Sequence, residues 1–338
     1  MNSQQLSQTM RENHAIRAAY SHYLNLNPRF LTADLVNDLA HDCAIETDEA
    51  FLILLSAALG LDTSIPSHRL LKRNYIRAGI QKKDPKIYQN DAYCRTVRFP
   101  TQKYGKWETK TETYAPYEPF VCGHPTLTKD LREIPKLGYF DEEFPFPAIL
   151  ESGVEWMTVT PNEIETMREP IAKSFGNALT LGLGLGYFAF HAIQKSEVRH
   201  LTVVERDRDV IELFRTALLP QFPNANKLTI VQADAFDFLK DPKTILQYDS
   251  IFADLWHDPS DGLDLYIRLR KTEKEANADK IDYWIEPTIL STLRDMVYDR
   301  ITDKNAPLQI QGVSKEELLS NRFLRELAPD LTKNTKNI

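Results

Sequence analysis

The sequence predicts a doubly wound α/β fold with a mainly parallel sheet, preceded by a helical N-terminal subdomain and a β-rich connector. Three observations carry this. From Ala178 onward, apolar strand-like runs alternate with helical segments. The first of these runs enters three alternate glycines, Gly182, Gly184 and Gly186, in "NALTLGLGLGYFAFHAI". The later runs end on acidic residues: Glu205, Asp234, Asp254 and Glu286.

With 338 residues the chain is long enough for two domains, or for one large domain with an appendage. Its 42% hydrophobic and 26% charged residues, without a low-complexity tract, are ordinary for a globular protein. A formal net charge of -7 argues against a body built mainly to grip nucleic acid. Cys43, Cys94 and Cys122 are far apart and lack C-x-x-C spacing, which suits a reducing compartment and offers no metal signature. The first residues are polar, without the apolar core of a signal peptide, and the longest apolar run, "AFLILLSAALGL", is too short to span a bilayer. A cytoplasmic protein without a membrane partner is therefore expected.

Residues 1–85 read as a helical subdomain. Thr47 is the expected N-cap of an apolar helix that Gly60 closes, with Asp48 and Glu49 suiting the positive end of its dipole. Leu31, Leu35 and Leu39 recur at four-residue spacing and are expected to pack against it. Further on, Arg69, Lys72, Arg73 and Arg77 fall on one helical face. That stripe reads as a solvated face, with phosphate contact as the alternative. The helical region itself is expected to cap the site or make a homodimer contact.

Residues 86–155 change texture. "KWETKTETYAPY" alternates like a hairpin arm, and "LGYFDEEFPFPAIL" has too many prolines for a continuous helix or central strand. This segment is expected to be a β-rich or irregular connector or lid. "EWMTVTPNEIETM" then marks a helix start, with Thr160 as N-cap, Pro161 at the first helical position and Glu163 completing a capping box.

Residues 156–330 form the expected ligand-binding domain, followed by a flexible tail at 331–338. "ALTLGL", "HLTVVE", "KLTIVQA", "YDSIFADL" and "KIDYWIE" read as strands, with "YFAFHAIQK", "RDVIELFRTAL" and "AFDFLK" as the helices between the first four. In such a sheet the ligand lies beyond the carboxyl ends of the strands, where strand order reverses. The glycines stand at that end of the first strand. Any one terminal acid could be only a helix N-cap; four in succession point to a ligand.

Residues 178 to about 290 resemble a class I S-adenosylmethionine-dependent methyltransferase, with similarity to the spermidine synthase branch. "LTLGLGLGYFAFHA" matches the first glycine motif, "VVERD" the acidic second, "QADAFDFL" the third and "YDSIFADLW" the fourth. The resemblance implies a Rossmann-like domain that binds S-adenosylmethionine through Gly182, Gly184, Gly186, Glu205, Arg206, Asp234, Ala235 and Asp254. A carboxylate such as Glu205 can accept from both ribose hydroxyls, and Asp234 from the adenine amino group. Where the family usually carries an acid two residues before the first glycine, this chain has Thr180; Glu163 is a candidate substitute. After Glu286, "PTILSTLRDMVYDRI" and "SKEELLSNRFLREL" read as helices rather than a final antiparallel hairpin. The sheet is then either shortened or completed at its edge by residues 86–150.

Methyl transfer to a small molecule or a protein side chain is the expected reaction. It needs alignment, exclusion of water and, for a protonated nucleophile, a base. His257 is the candidate base, Asp254 is expected to orient it or the substrate, and Trp256 to wall the site or stack on a cation or flat ring. Trp284 is expected to pack against the sheet, and His124 to sit in a turn. Three other readings remain. "ADLWHDPSDG" resembles the Asp-rich loop of polyamine synthases, which implies aminopropyl transfer from a decarboxylated donor into an acidic pocket holding Asp254, Asp258, Asp261 and Asp264. "GLGYFA" also fits the dinucleotide pattern G-x-G-x-x-A, with Glu205 nineteen residues past Gly186, as an NAD(P)-dependent oxidoreductase requires. A non-catalytic nucleoside-binding protein is the reading that Thr180 motivates.

Overall fold

The computed structural model describes residues 3–101 and 103–302, which fall into two compact units. The expected helix at 314–327 and the tail at 331–338 lie outside the described residues. The unit boundaries differ from those expected, because the connector is divided. Residues 113–144 and 287–302 join residues 3–85, while 86–112 and 145–286 form the second unit.

The first unit is built on helices α1 (Ser3–Leu26), α2 (Ala33–Cys43) and α3 (Thr47–Ala58). Thr32 caps α2 by accepting from the Leu35 amide at 3.3 Å. Glu46, not Thr47, occupies the N-cap position of α3. Leu31 is buried as expected, but Leu35 is exposed because Val36 and Ala40 take the inward face of α2. Phe51 on α3 is fully buried, its ring centroid 4.0 Å from Tyr139 and 5.7 Å from Tyr117. Those two tyrosines explain why 113–144 leaves the connector: the segment fills the core of the helices. Its strand Leu137–Tyr139 also pairs in parallel with Ile80–Lys82 and antiparallel with Phe120–Val121. The basic stripe runs into local bonds. Lys72 and Arg77 both pair with Glu49, and Arg69 donates to the carbonyls of Thr63 and Ser64.

The second unit contains two sheets. In the first, Lys103–Tyr104 and strands β1 (Trp107–Tyr114), β2 (Phe144–Glu151) and β3 (Val154–Thr158) lie side by side in that order. β2 and β3 form an antiparallel hairpin with Ala148 opposite Thr158. The residues considered as an edge for the main sheet thus make a sheet of their own.

The main sheet holds β4 (Gly176–Leu181), β5 (Val198–Glu205), β6 (Leu228–Gln232), β7 (Ser250–Ala253) and β8 (Ile281–Tyr283). All four pairings are parallel, in the order β6-β5-β4-β7-β8. The chain steps outward from β4 through β5 to β6, then returns to the other side of β4 for β7 and β8. Strand order therefore reverses at β4, where a Rossmann-like sheet opens a crevice beyond its carboxyl ends. Helix α4 (Pro161–Lys173) precedes β4, α5 (Tyr187–Gln194) follows it, and α6 (Pro259–Glu275) joins β7 to β8. β4 is apolar because it is central: Ala178, Leu179 and Leu181 are buried, as are Phe190 and Ile193 on α5. Among the described residues no helix is long and apolar enough to cross a membrane, and no group of three His, Cys, Asp or Glu residues is placed to hold a metal.

Candidate active site at the strand ends

At the end of β4 the backbone turns sharply. The Gly182 amide donates to the Val204 carbonyl at 2.8 Å, and Gly182 itself sits at φ +98°. A Cβ here would overlap the carbonyl oxygen of Asp254, so the position requires glycine. Gly184, at φ +57°, lies where a Cβ would approach the Met157 sulfur to 2.8 Å. Gly186, at φ +77°, is the N-cap of α5 and packs against Phe214 and Phe222. The three glycines thus answer first to close approaches within the protein, and only Gly182 and Gly184 also line the cavity described next.

A cavity of about 410 Å³ opens at these strand ends. Of the residues implied as cofactor-binding, Gly182, Gly184, Glu205, Arg206, Asp234, Ala235 and Asp254 line it; Gly186 does not. His257 and Trp256 line it as well.

Glu205 closes β5 with 8% of its surface exposed. It accepts from the Leu183 amide at 3.2 Å and the Asp207 amide at 2.8 Å, clamping the glycine turn to the neighbouring strand. Burial raises its pKa against the lowering effect of those amides. Asp234 N-caps the short helix Ala235–Phe238, accepting from the amides of Phe236 at 2.8 Å and Asp237 at 3.3 Å. Beside it, the Arg268 guanidinium lies 3.6 Å from the Phe236 ring centroid.

Asp254 follows β7 and is anchored through its amide to the Leu181 carbonyl at 2.8 Å. Its carboxyl is pushed up to about 7, first by burial and then by the Glu205 carboxylate. Glu163, in the first turn of α4, is held well above the ordinary carboxylate range by burial and then by Asp254. The expected capping box is not formed: Thr160 occupies the N-cap position without a side-chain bond. Glu163 instead lines the cavity, as does Thr180, whose hydroxyl donates to the Gly182 carbonyl at 3.3 Å. Glu163, Glu205 and Asp254, from three different parts of the fold, therefore line one cavity, which Glu155 and Asp234 line as well.

The Asp-rich loop is arranged differently from the expected acidic pocket. Asp258 N-caps α6, accepting from the Ser260 amide at 2.6 Å, and Asp261 accepts from the amides of His257 and Asp258, both at 3.1 Å. These two acids form a capping box and do not line the cavity. His257 is exposed, with Nδ1 3.0 Å from Asp261 Oδ2, so its orienting partner is Asp261 rather than Asp254. Trp256 is buried and donates from Nε1 to the Trp284 carbonyl at 3.2 Å. Trp284 donates to the Thr166 hydroxyl at 2.9 Å and also lines the cavity. Glu286 is outside the lining and accepts from the Tyr266 hydroxyl at 2.7 Å.

Sequence reasoning missed the wall supplied by β3. Trp156 lines the cavity, its ring 5.7 Å from His257 and 4.4 Å from Trp107. No spacing signal links "EWMT" to the strand ends; only the hairpin brings them together.

A family model, the spermine/spermidine synthase domain, matches residues 171–266. The match covers β4 through the first half of α6. It supports the spermidine synthase branch of the class I methyltransferase-like fold, and does not single out a methyltransferase. Between the two transfer reactions it favours the aminopropyl reading. No curated protein matches the chain.

Proposed function

We propose that the chain is an aminopropyltransferase, moving a three-carbon amino group from decarboxylated S-adenosylmethionine to an amine acceptor. One observation carries this reading: Glu163, Asp254 and Glu205 line a single cavity, where burial raises all three carboxyls, Glu205 raises Asp254 further and Asp254 raises Glu163 further. Such a site gains most from a cationic occupant. It disfavours a donor that brings its own carboxylate, since like charges about 4 Å apart repel by about 4 kcal/mol at an effective dielectric near 20. A decarboxylated donor carries an ammonium and no carboxylate. The domain match to residues 171–266 supports the same branch.

The cavity residues fit such a donor. Gly182 and Gly184 offer backbone without side chains, Glu205 offers a carboxylate for paired hydroxyls, and Asp234 an acceptor for an amino group. When bound, the donor supplies an activated sulfonium carbon. The acceptor nitrogen forms the new C–N bond as the C–S bond breaks, and the sulfur keeps the bonding electron pair as a thioether. The proton lost from nitrogen needs an acceptor. Asp254, with a pKa of about 7, is matched to take it near neutral pH. Trp256, Trp284 and Trp156 exclude water from the reacting atoms.

Calorimetric titration with methylthioadenosine, S-adenosylhomocysteine and NAD tests the reading. Methylthioadenosine should bind at least about tenfold more tightly than S-adenosylhomocysteine, a difference on the order of 1.4 kcal/mol. Preference for S-adenosylhomocysteine would move the assignment to methyl transfer, and preference for NAD to an oxidoreductase. Failure of all three would leave a sheet without this ligand.

A further inference from the structure

Behind the glycine turn lies a buried hydrogen-bonded assembly supplied by residues 86–112, upstream of the segment matched by the synthase domain. Tyr93 is fully buried, and its hydroxyl donates to the Leu185 carbonyl at 2.6 Å, between Gly184 and Gly186. Its ring meets Tyr187 and Phe190 edge-on, each with centroids 5.3 Å away. Two residues earlier, Asp91 caps the short helix Ala92–Thr96 through the Tyr93 amide at 2.9 Å. Its other oxygen accepts from the Tyr187 hydroxyl at 3.0 Å, and His191 Nε2 lies 3.3 Å from Oδ1. Burial raises the Asp91 carboxyl, but the His191 and Tyr187 bonds outweigh it and hold the pKa low, so the group is a charged acceptor.

We infer that Tyr93 and Asp91 are positioning residues for the donor: they fix the Leu185 carbonyl and the Tyr187 ring, and thereby the cavity face of the glycine turn. The inference rests on the donor-binding reading above. Leu185 and Tyr187 both line the cavity, whereas Tyr93 and Asp91 do not. The turn's own bonds hold its start and close it on itself: the Gly182 amide donates to Val204 and the Gly186 amide to the Leu183 carbonyl at 2.9 Å, while the Leu185 carbonyl between them is held by Tyr93. Glycines at positive φ leave it three flexible points, and the Glu205 clamp reaches only the Leu183 amide at its start. The Tyr93 hydroxyl and the Asp91 carboxylate grip its far end.

The test compares Y93F with Y266F. Tyr266 is equally buried, and its hydroxyl bonds to Glu286 at 2.7 Å away from the cavity. Y93F should weaken methylthioadenosine binding about tenfold and raise the donor KM by a similar factor with kcat unchanged, while Y266F leaves both as in the parent. D91N should act in the same direction as Y93F. Equal affinity for Y93F and the parent would overturn the inference, as would equal losses in Y93F and Y266F. If the parent itself binds no nucleoside, the donor reading fails, and hydrogen exchange decides the brace by itself. Faster exchange at the amides of Gly184 to Tyr187 in Y93F but not in Y266F supports it, and unchanged exchange overturns it.

Discussion

Gly182 lies against the carbonyl oxygen of Asp254 so closely that no side chain fits between them. The contact joins the end of β4 to the residue after β7, the two strands that flank the reversal of strand order. It also places the most perturbed aspartate of the cavity directly beside the glycine turn.

Replacing Gly182 with alanine should therefore cost more than its positive φ alone. Gly153 provides the comparison: at φ +88° it has no atom within 4 Å of the point where an alanine methyl would stand. G153A should lose about 1–2 kcal/mol, the ordinary penalty of a left-handed residue. G182A should lose about 3 kcal/mol or more and abolish methylthioadenosine binding, because the strand ends must part. Urea unfolding of the two variants checks the difference. Equal losses would mean that the β4 and β7 ends are not held together here.

Stability should fall as pH rises through the range in which Asp254 ionises. Its carboxyl is pushed up to about 7 in the folded chain, against about 3.9 when unfolded. Between those values the folded state holds a proton that the unfolded state has released, so the group opposes folding increasingly up to about pH 7 and constantly above it. D254N should match the parent near pH 4 and exceed its stability near pH 8. A D254N variant less stable than the parent at the higher pH would contradict this. Binding of a cationic ligand should also release protons near pH 7, which titration in buffers of different ionisation enthalpy would detect.

The glycine turn and the acids Glu205, Asp234 and Asp254 were legible because each sits at the end of an apolar strand, where sequence order maps directly onto the crevice. Glu163 was harder. Its position after Thr160 matches a capping box, yet tertiary placement turns its carboxylate to the cavity and leaves Thr160 without a side-chain bond. Asp258 and Asp261 were misjudged in the opposite sense, since acids in a row after a strand can satisfy helix amides instead of a ligand. Trp156 and Tyr93 carry no local signal, because their partners His257 and Leu185 are about a hundred residues away in the chain. The division of residues 86–155 between two units was hidden for the same reason: Tyr117 and Tyr139 are core residues only once Phe51 is beside them.

The capping acids and the cavity acids should separate cleanly by substitution. D258A removes the bond to the Ser260 amide in the first turn of α6, D261A removes the bonds to the His257 and Asp258 amides just before it, and each should cost about 1 kcal/mol of stability. D258A should leave amine and nucleoside binding as in the parent. E163Q should do the reverse, gaining stability at neutral pH while weakening binding of a diamine such as putrescine. Loss of diamine binding in D258A would return the loop to the role of an acidic pocket.

The identity of the base is decided by comparing Asp254 with His257. Asp254 lies at the strand end against the glycine turn, with a carboxyl pKa near the pH at which a proton must be taken. His257 is exposed and tied through Nδ1 to Asp261, a capping residue, with its ring edge toward Trp156. D254N should lower kcat by about a hundredfold or more, the usual scale for losing a general base, and remove the limb of the pH profile near 7. H257A should keep methylthioadenosine affinity and lose less than about tenfold in kcat. If H257A instead abolishes turnover while D254N retains the limb, the histidine is the base and the Asp254 carboxyl serves only to hold the amine.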